Sequence, residues 1–159
     1  MSHPLSPHAQ KVQVALRTLG FPHEVIELPH TTRSAAEAAQ AIGCKIEEIA
    51  KSLVFKGKHT NRPTLVIASG PNRVSEKKIS EFLSEPVKMA DADFVHQRTG
   101  FTIGGVPPIA HRERLETIID EDLLQFEEIW AAAGTPNAVF KLSPAELKKM
   151  TGGSVISIK

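Results

Sequence analysis

Few residues in this chain are placed to do chemistry, and the common arrangements are missing. Seven histidines (His3, His8, His23, His30, His59, His96 and His111) are scattered with no HExxH or CxxC spacing and no carboxylate pair at ligand separation, so no metal is expected. Cys44 follows the glycine of a helix stop and has no histidine beside it, which reads as a buried structural thiol rather than a nucleophile. There is no Gly-x-Ser-x-Gly elbow, no Walker loop and no GxGxxG, and no cofactor is expected. Two features remain. Lys51 stands between a helical turn and the apolar run Ser52-Leu53-Val54-Phe55, where its stem can pack on a sheet while its ammonium reaches an anion or a carbonyl oxygen. Gly104-Gly105-Val106-Pro107-Pro108 can be neither helix nor central strand. Its glycines allow close approach to backbone N–H groups and its prolines stiffen the turn, a combination able to hold a carbonyl or a developing oxyanion. Taken alone, Lys51 also reads as a solvated lysine and the loop as a tight turn.

The elements that must position these residues are short and interleaved. Ser6-Pro7 is a helix start, Val12, Leu16 and Leu19 recur at helical spacing, and Gly20 is a stop. Residues 23–28 read as a strand ended by Pro29, and Ser34 with Glu37 forms a capping box for a helix closed by Gly43. Residues 45–50 add a helical turn. Residues 52–55 and 64–68 read as strands, 75–83 as a helix, 87–89 as a short strand and 91–98 as a helix ended by Gly100. The last third offers strands at 117–119, 128–130, 138–142 and 154–158. An acidic helical segment lies near 121–125, and a helix opens at Ser143-Pro144 with Glu146 completing its capping box. This pattern predicts one α/β domain over residues 1–159 with a mixed sheet, and disfavours a Rossmann layout because regular βαβ units are not evident.

Composition bounds the function. The chain has 159 residues, 41% hydrophobic and 23% charged, enough for one globular core. Nineteen Lys/Arg against 18 Asp/Glu exclude a polybasic nucleic-acid coat but not a local basic patch. Such a patch is foreshadowed by nine Lys/Arg against five acids over residues 44–89, with seven acids against one Arg over 113–128. A patchy solvated surface explains the same counts. One cysteine and the lack of an apolar leader or membrane-length run lead us to expect a cytoplasmic protein without membrane association.

Ala50-Lys51-Ser52-Leu53-Val54-Phe55, then Arg98-Thr99-Gly100-Phe101 running into Gly104-Gly105-Val106-Pro107-Pro108, then Thr117-Ile118-Ile119-Asp120, occur in that order at suitable separations. The set resembles the YbaK/ProX family of aminoacyl-tRNA deacylases, related to the editing (insertion) domain of bacterial prolyl-tRNA synthetase, and within it the ProX-type proteins. The similarity runs from about Phe21 to the C-terminus. It implies a mixed α/β sheet, partly closed and flanked by helices, with the acyl-adenosine end of tRNA beside it. It implies hydrolysis, by a trans-acting enzyme, of the ester of mischarged tRNA(Pro) bearing a small non-proline amino acid. The partners implied are the aminoacyl-tRNA(Pro) acceptor end and prolyl-tRNA synthetase.

The family's functional lysine falls on Lys51 and its glycine–proline loop on Gly104, Gly105, Val106, Pro107 and Pro108. Lys51, Gly104, Gly105 and Val106 are then the catalytic candidates; Ser52, Pro107, Pro108 and Glu146 are the substrate-binding ones. Glu146 is equally explained as the third residue of its capping box. The competing expectation is a non-catalytic nucleic-acid- or small-molecule-binding regulatory module. Near-neutral charge and the lack of a clear helix-turn-helix argue against reading duplex DNA.

Overall fold

The computed structural model describes residues 4–29 and 34–159; His3 and His30 lie outside them. Helix α1 (Pro7–Thr18) begins at Ser6, and burial of Ala9, Val12 and Leu16 fixes its inner face. Strand β1 (Ile26–Glu27) occupies only part of the segment expected to be extended. Helix α2 (Ala35–Ile42) is capped by the Ser34 side chain and ended by Gly43 in the left-handed region. A 3-10 turn (Ile46–Glu48) leads into β2 (Ile49–Gly57) and β3 (Pro63–Ser69). Then follow α3 (Glu76–Leu83), β4 (Val87–Met89), α4 (Ala92–Thr99), β5 (Glu116–Asp120) and a second 3-10 turn (Glu121–Gln125). The chain closes with β6 (Ile129–Ala132), β7 (Ala138–Leu142), α5 (Pro144–Thr151) and β8 (Ser154–Ile156).

The eight strands make one mixed sheet in the order β1-β7-β6-β2-β3-β5-β8, with β4 added against β2. The sheet is flanked by helices, as the sequence leads one to expect, and its end strands β1 and β8 leave it open rather than closed into a barrel. Strand β3 is buried at every residue. Leu65 and Ile67 join Leu16, Phe94 and Leu147 in the main core, while Val66 and Ala68 join Phe55, Ile79 and Ile118 on the opposite face. Burial on both faces is why residues 64–68 read as a continuous apolar run rather than an alternation. No helix among the described residues is long and apolar enough to cross a membrane.

The arrangement around β2 creates the site. One edge of β2 pairs with β3 from Ala50↔Ser69 to Lys56↔Pro63. The other edge is divided: β6 pairs in parallel at Ile49 and Ala50, and β4 pairs antiparallel from Phe55 to Gly57. Residues 51–53 lie in the opening between these two partners. On that edge the Val54 carbonyl accepts from the Ala90 N–H (3.0 Å). Strand residues two apart aim their backbone groups the same way, so the N–H and C=O of Ser52 face the opening.

The start of β2 is braced by a buried carboxylate. Asp120, 1% exposed at the end of β5, accepts from the Ser69 N–H (2.9 Å), Asn72 Nδ2 (2.8 Å) and the Asp122 N–H (2.9 Å). Ser69 Oγ in turn donates to the Glu47 carbonyl (2.7 Å) beside the first residues of β2. Hydrogen bonds to a charged acceptor contribute more than neutral ones, and removing that acceptor strands buried donors. Asp120→Ala is therefore expected to lower unfolding stability by about 2–3 kcal/mol in urea titrations; a change under about 0.5 kcal/mol would show the brace to be dispensable.

Candidate active site

A cavity of about 260 Å³ opens at the gap in β2. Lys51 and Ser52 border it on one side, Gly104 and Val106 on another, and the β6–β7 hairpin with α2 closes the rest through Trp130, Ala131, Val139 and Ala38. Adjacent strand residues point to opposite faces, yet Lys51 and Ser52 both reach this cavity because the strand edge is open there. Lys51 also borders a second groove with Asn72, Arg73 and Glu76. Burial pulls the Lys51 ammonium below the ordinary lysine range, while the charge of Asp120 opposes that shift. Ser52 Oγ is buried and has no hydrogen-bond partner among the described residues.

The five loop residues divide sharply. Gly104 takes φ +94°, which an L side chain rarely adopts. The backbone N–H groups of Gly104 and Val106 have no partner among the described residues, whereas the Gly105 N–H donates to the Thr102 carbonyl (3.0 Å). The Gly105 carbonyl accepts from the Gly134 N–H (2.9 Å), so both its backbone groups are committed. Glycine is required there by packing, since an added Cβ would stand 2.9 Å from Thr135 Cα. Val106 is 3% exposed and faces the cavity. Pro107 and Pro108 do not border it. The Pro107 carbonyl instead meets His111 Nε2 (2.6 Å), and Pro108 lines a separate cleft behind the loop.

Glu146 lies away from the cavity, on α5. Its Oε1 accepts from the Ser143 N–H (2.8 Å) and pairs with His23 Nε2 (3.0 Å), while its own N–H donates to Ser143 Oγ (3.1 Å). Burial acts to raise its pKa, but the Ser143 and His23 contacts outweigh that and hold it below the ordinary glutamate range. The two Ser143 contacts are those of a capping box, and the His23 contact ties α5 to the segment before β1. Among the described residues no group of three or more His, Cys, Asp or Glu converges as a metal site, and none of these residue types borders the cavity. Cys44, half-buried beside α2, has its thiol pKa raised by burial and by Glu48.

Residues 30–150, which include the open edge of β2 and the glycine–proline loop, match the aminoacyl-tRNA editing domain. The chain belongs to this family. Editing domains of this kind are aminoacyl-tRNA deacylases, hydrolases of the ester that joins amino acid to tRNA. Among solved structures, the editing domain is similar to a candidate trans-editing enzyme for prolyl tRNA synthetase, with 46% identity, a TM-score of 0.93, and 98% of this chain and 99% of that one covered. It is 29% identical over 133 residues to YwhH of Bacillus subtilis (strain 168), an uncharacterised protein, covering 84% of each. It is also 30% identical over 91 residues to the proline–tRNA ligase of Limosilactobacillus fermentum, covering 55% of this chain but only 16% of the ligase.

Most of the residues bordering the editing domain's cavity lie outside any motif. Trp130, Ala131, Val139 and Ala38 come from the β6–β7 hairpin and α2, and the only sequence trace of them is the run Ala131-Ala132-Ala133-Gly134, whose lack of bulk leaves room beside a strand. The commitment of Gly105 to the hairpin yields a measurable consequence. Gly105→Ala is expected to cost about 1–3 kcal/mol of stability, because the rigid backbone of Thr135 must move. Ser52→Ala, which breaks no hydrogen bond, is expected to fall within about 0.5 kcal/mol of the parent. Parallel thermal melts check both.

Proposed function

We propose that this editing domain acts in trans, in the cytoplasm, to hydrolyse the ester of tRNA(Pro) mischarged with a small non-proline amino acid. Supporting the reading most is one observation: Lys51, Gly104 and Val106 border a single small, mainly apolar cavity, and the N–H groups of the two loop residues have no partner among the described residues. At about 260 Å³ the cavity is smaller than sites that engulf a whole drug-sized ligand, which suits an aminoacyl group whose nucleotide stays outside. The similarity to a candidate trans-editing enzyme of nearly the same length favours action in trans, and the similarity to part of a proline–tRNA ligase favours tRNA(Pro).

In this reading water adds to the ester carbonyl, the carbonyl oxygen gains negative charge, and collapse of the adduct expels the ribose oxygen, leaving free amino acid and a tRNA 3′ end. The Gly104 and Val106 N–H groups would receive the developing oxyanion. A donor of this type is worth roughly 10²–10³ in rate. Lys51, between the cavity and the second groove bearing Arg73, would hold the terminal phosphate or the acyl group electrostatically. No histidine, carboxylate or thiol among the described residues borders the cavity to take the proton of water. The neighbouring ribose hydroxyl of the substrate suits that task. No covalent intermediate is required.

Lys51→Ala is expected to lower deacylation at least about 100-fold while changing stability by less than about 1 kcal/mol. Cys44→Ala should be silent in the same initial-rate assay. Rates near the parent in a well-folded Lys51→Ala protein would remove Lys51 from the mechanism.

Selection among amino acids should come from pocket size, which excludes larger acyl groups better than smaller ones. Of the loop's apolar residues Val106, not the two prolines, faces the cavity. Alanyl- and 2-aminobutyryl-tRNA(Pro) are expected to be hydrolysed faster than cysteinyl-tRNA(Pro), and prolyl-tRNA(Pro) spared. Val106→Ala should raise the relative rate on prolyl-tRNA(Pro) before it lowers the rate on alanyl-tRNA(Pro). Equal hydrolysis of all four by the parent would contradict editing, and activity on none would favour a binding module.

A further inference from the structure

The 104–108 loop is anchored mainly from outside the cavity. At its start, buried Thr99 donates through Oγ1 to the Val95 carbonyl (2.7 Å) and accepts from the Phe101 N–H (3.0 Å). At its far end the Arg112 N–H donates to the Thr99 carbonyl (2.9 Å), which ties residue 112 back to residue 99. Between these ties, Gly105 is fixed to Thr102 and Gly134. The segment carrying Val106 is harder to hold, because Pro107 and Pro108 have no N–H to donate. Only carbonyls are left to anchor it, and the Pro107 carbonyl takes His111 Nε2 at 2.6 Å.

The His111 ring is suited to that single bond. Burial lowers its pKa, against the pull of the Pro107 carbonyl, so the ring is neutral near pH 7 and carries one N–H. A carbonyl only accepts, so that hydrogen sits on Nε2. Of the charged neighbours bordering the cleft behind the loop, Glu113 pairs with Arg98 (3.1 Å), Arg112 Nη1 donates to the Gln97 carbonyl (3.2 Å) and Lys149 lies over the Phe21 ring (6.0 Å), while Arg114 makes no such contact among the described residues. Ala110, a residue with a side chain, is held at φ 71° immediately before His111. That conformation costs on the order of 1 kcal/mol and persists only where surrounding structure imposes it. Here it reverses the chain so that the ring can reach back four residues.

We propose that His111 is a positioning residue for deacylation: its Nε2–H, seated on the Pro107 carbonyl, sets the direction in which the Val106 and Gly104 N–H groups face the cavity. This inference rests on the deacylase reading above. The Val106–Pro107 and Pro107–Pro108 peptides are planar and their proline torsions are restricted, so a shift at the Pro107 carbonyl is transmitted to the Val106 N–H rather than absorbed. Misplacement of a reacting group by about 1 Å can cost about 100-fold in rate.

The test uses the full chain with alanyl-tRNA(Pro), measuring maximal single-turnover rate and half-saturation separately for the parent and three variants. Gln places a side-chain N–H near the imidazole Nε2 position, Asn falls short by roughly one bond, and Phe keeps ring volume without a donor. His111→Gln is expected within about threefold of the parent. His111→Asn and His111→Phe should lose about 10- to 100-fold in maximal rate at unchanged half-saturation. Hydrogen exchange at the Gly105 amide, protected by Thr102, should quicken in the same two variants and not in His111→Gln. Should His111→Phe fail to fold, the Asn and Gln pair still decides. Parent-like maximal rates in His111→Asn, or equal losses in Asn and Gln, would overturn the inference while leaving the deacylase intact. A parent protein inactive on alanyl-, 2-aminobutyryl- and cysteinyl-tRNA(Pro) would remove the deacylase reading and this inference with it.

Discussion

The divided edge of β2 is the constraint on which the rest depends. Buried backbone groups must find partners, and a central strand normally has neighbours along both edges. Here one edge is paired nearly throughout with β3, while the other passes from β6 at Ile49 and Ala50 to β4 at Phe55 without cover between them. Residues 51–53 are therefore the one stretch of this strand whose polar groups on that side are left to something other than the sheet. The frame must be stiff for such an opening to keep its shape. Strand β3 is buried on both faces behind it, and the Asp120 network locks the end of β3 to the approach into β2.

Loop and opening divide the work between rigid and unoccupied groups. Gly105 commits its N–H to Thr102 and its carbonyl and lack of a side chain to the β6–β7 hairpin, while the N–H groups on either side of it have no partner among the described residues. The prolines then carry the chain away from the cavity toward His111. The Ser52 hydroxyl on the facing strand, unpartnered among the described residues, completes a cavity whose polar groups are few and whose walls are mostly apolar, the balance seen in sites that orient a small ligand.

Most of the architecture is legible in the sequence because its signals are local. Ser6-Pro7, Ser34 with Glu37, Asp91 and Ser143-Pro144 mark helix starts that the structure places within a residue or so, and Gly43 and Gly100 mark stops. Residues 87–89 and 138–142 are strands with the bounds read from composition. The segment 23–28 shrinks to the two-residue β1 because its extent depends on pairing with β7, a contact far along the chain. For the site the division is similar. Lys51, Ser52, Gly104 and Val106 are visible as a strand mouth and a loop, and they border one cavity. The division of labour inside the loop is invisible, because Gly105 and Gly104 look alike until Thr135 is known to stand beside one of them. Glu146 illustrates the opposite difficulty: one residue carries a helix-cap signature and a family position at once, and in the structure it makes the cap's two bonds to Ser143 and pairs with His23, away from the cavity.

The pairing of β2 with β6 also bears on how the molecule comes into being. Ile49 meets Trp130 and Ala50 meets Ala131 across about 80 intervening residues, and β3 meets β5 in a second parallel, non-local register. Closing such long loops is entropically costly and slows folding relative to helical proteins of the same size. The two halves of the cavity thus come from chain segments synthesised far apart in time, and neither α2 with β2 nor the hairpin encloses it alone. The cavity is not enclosed in a nascent chain until β6 docks, so it arrives with the topology as a whole rather than with any local element.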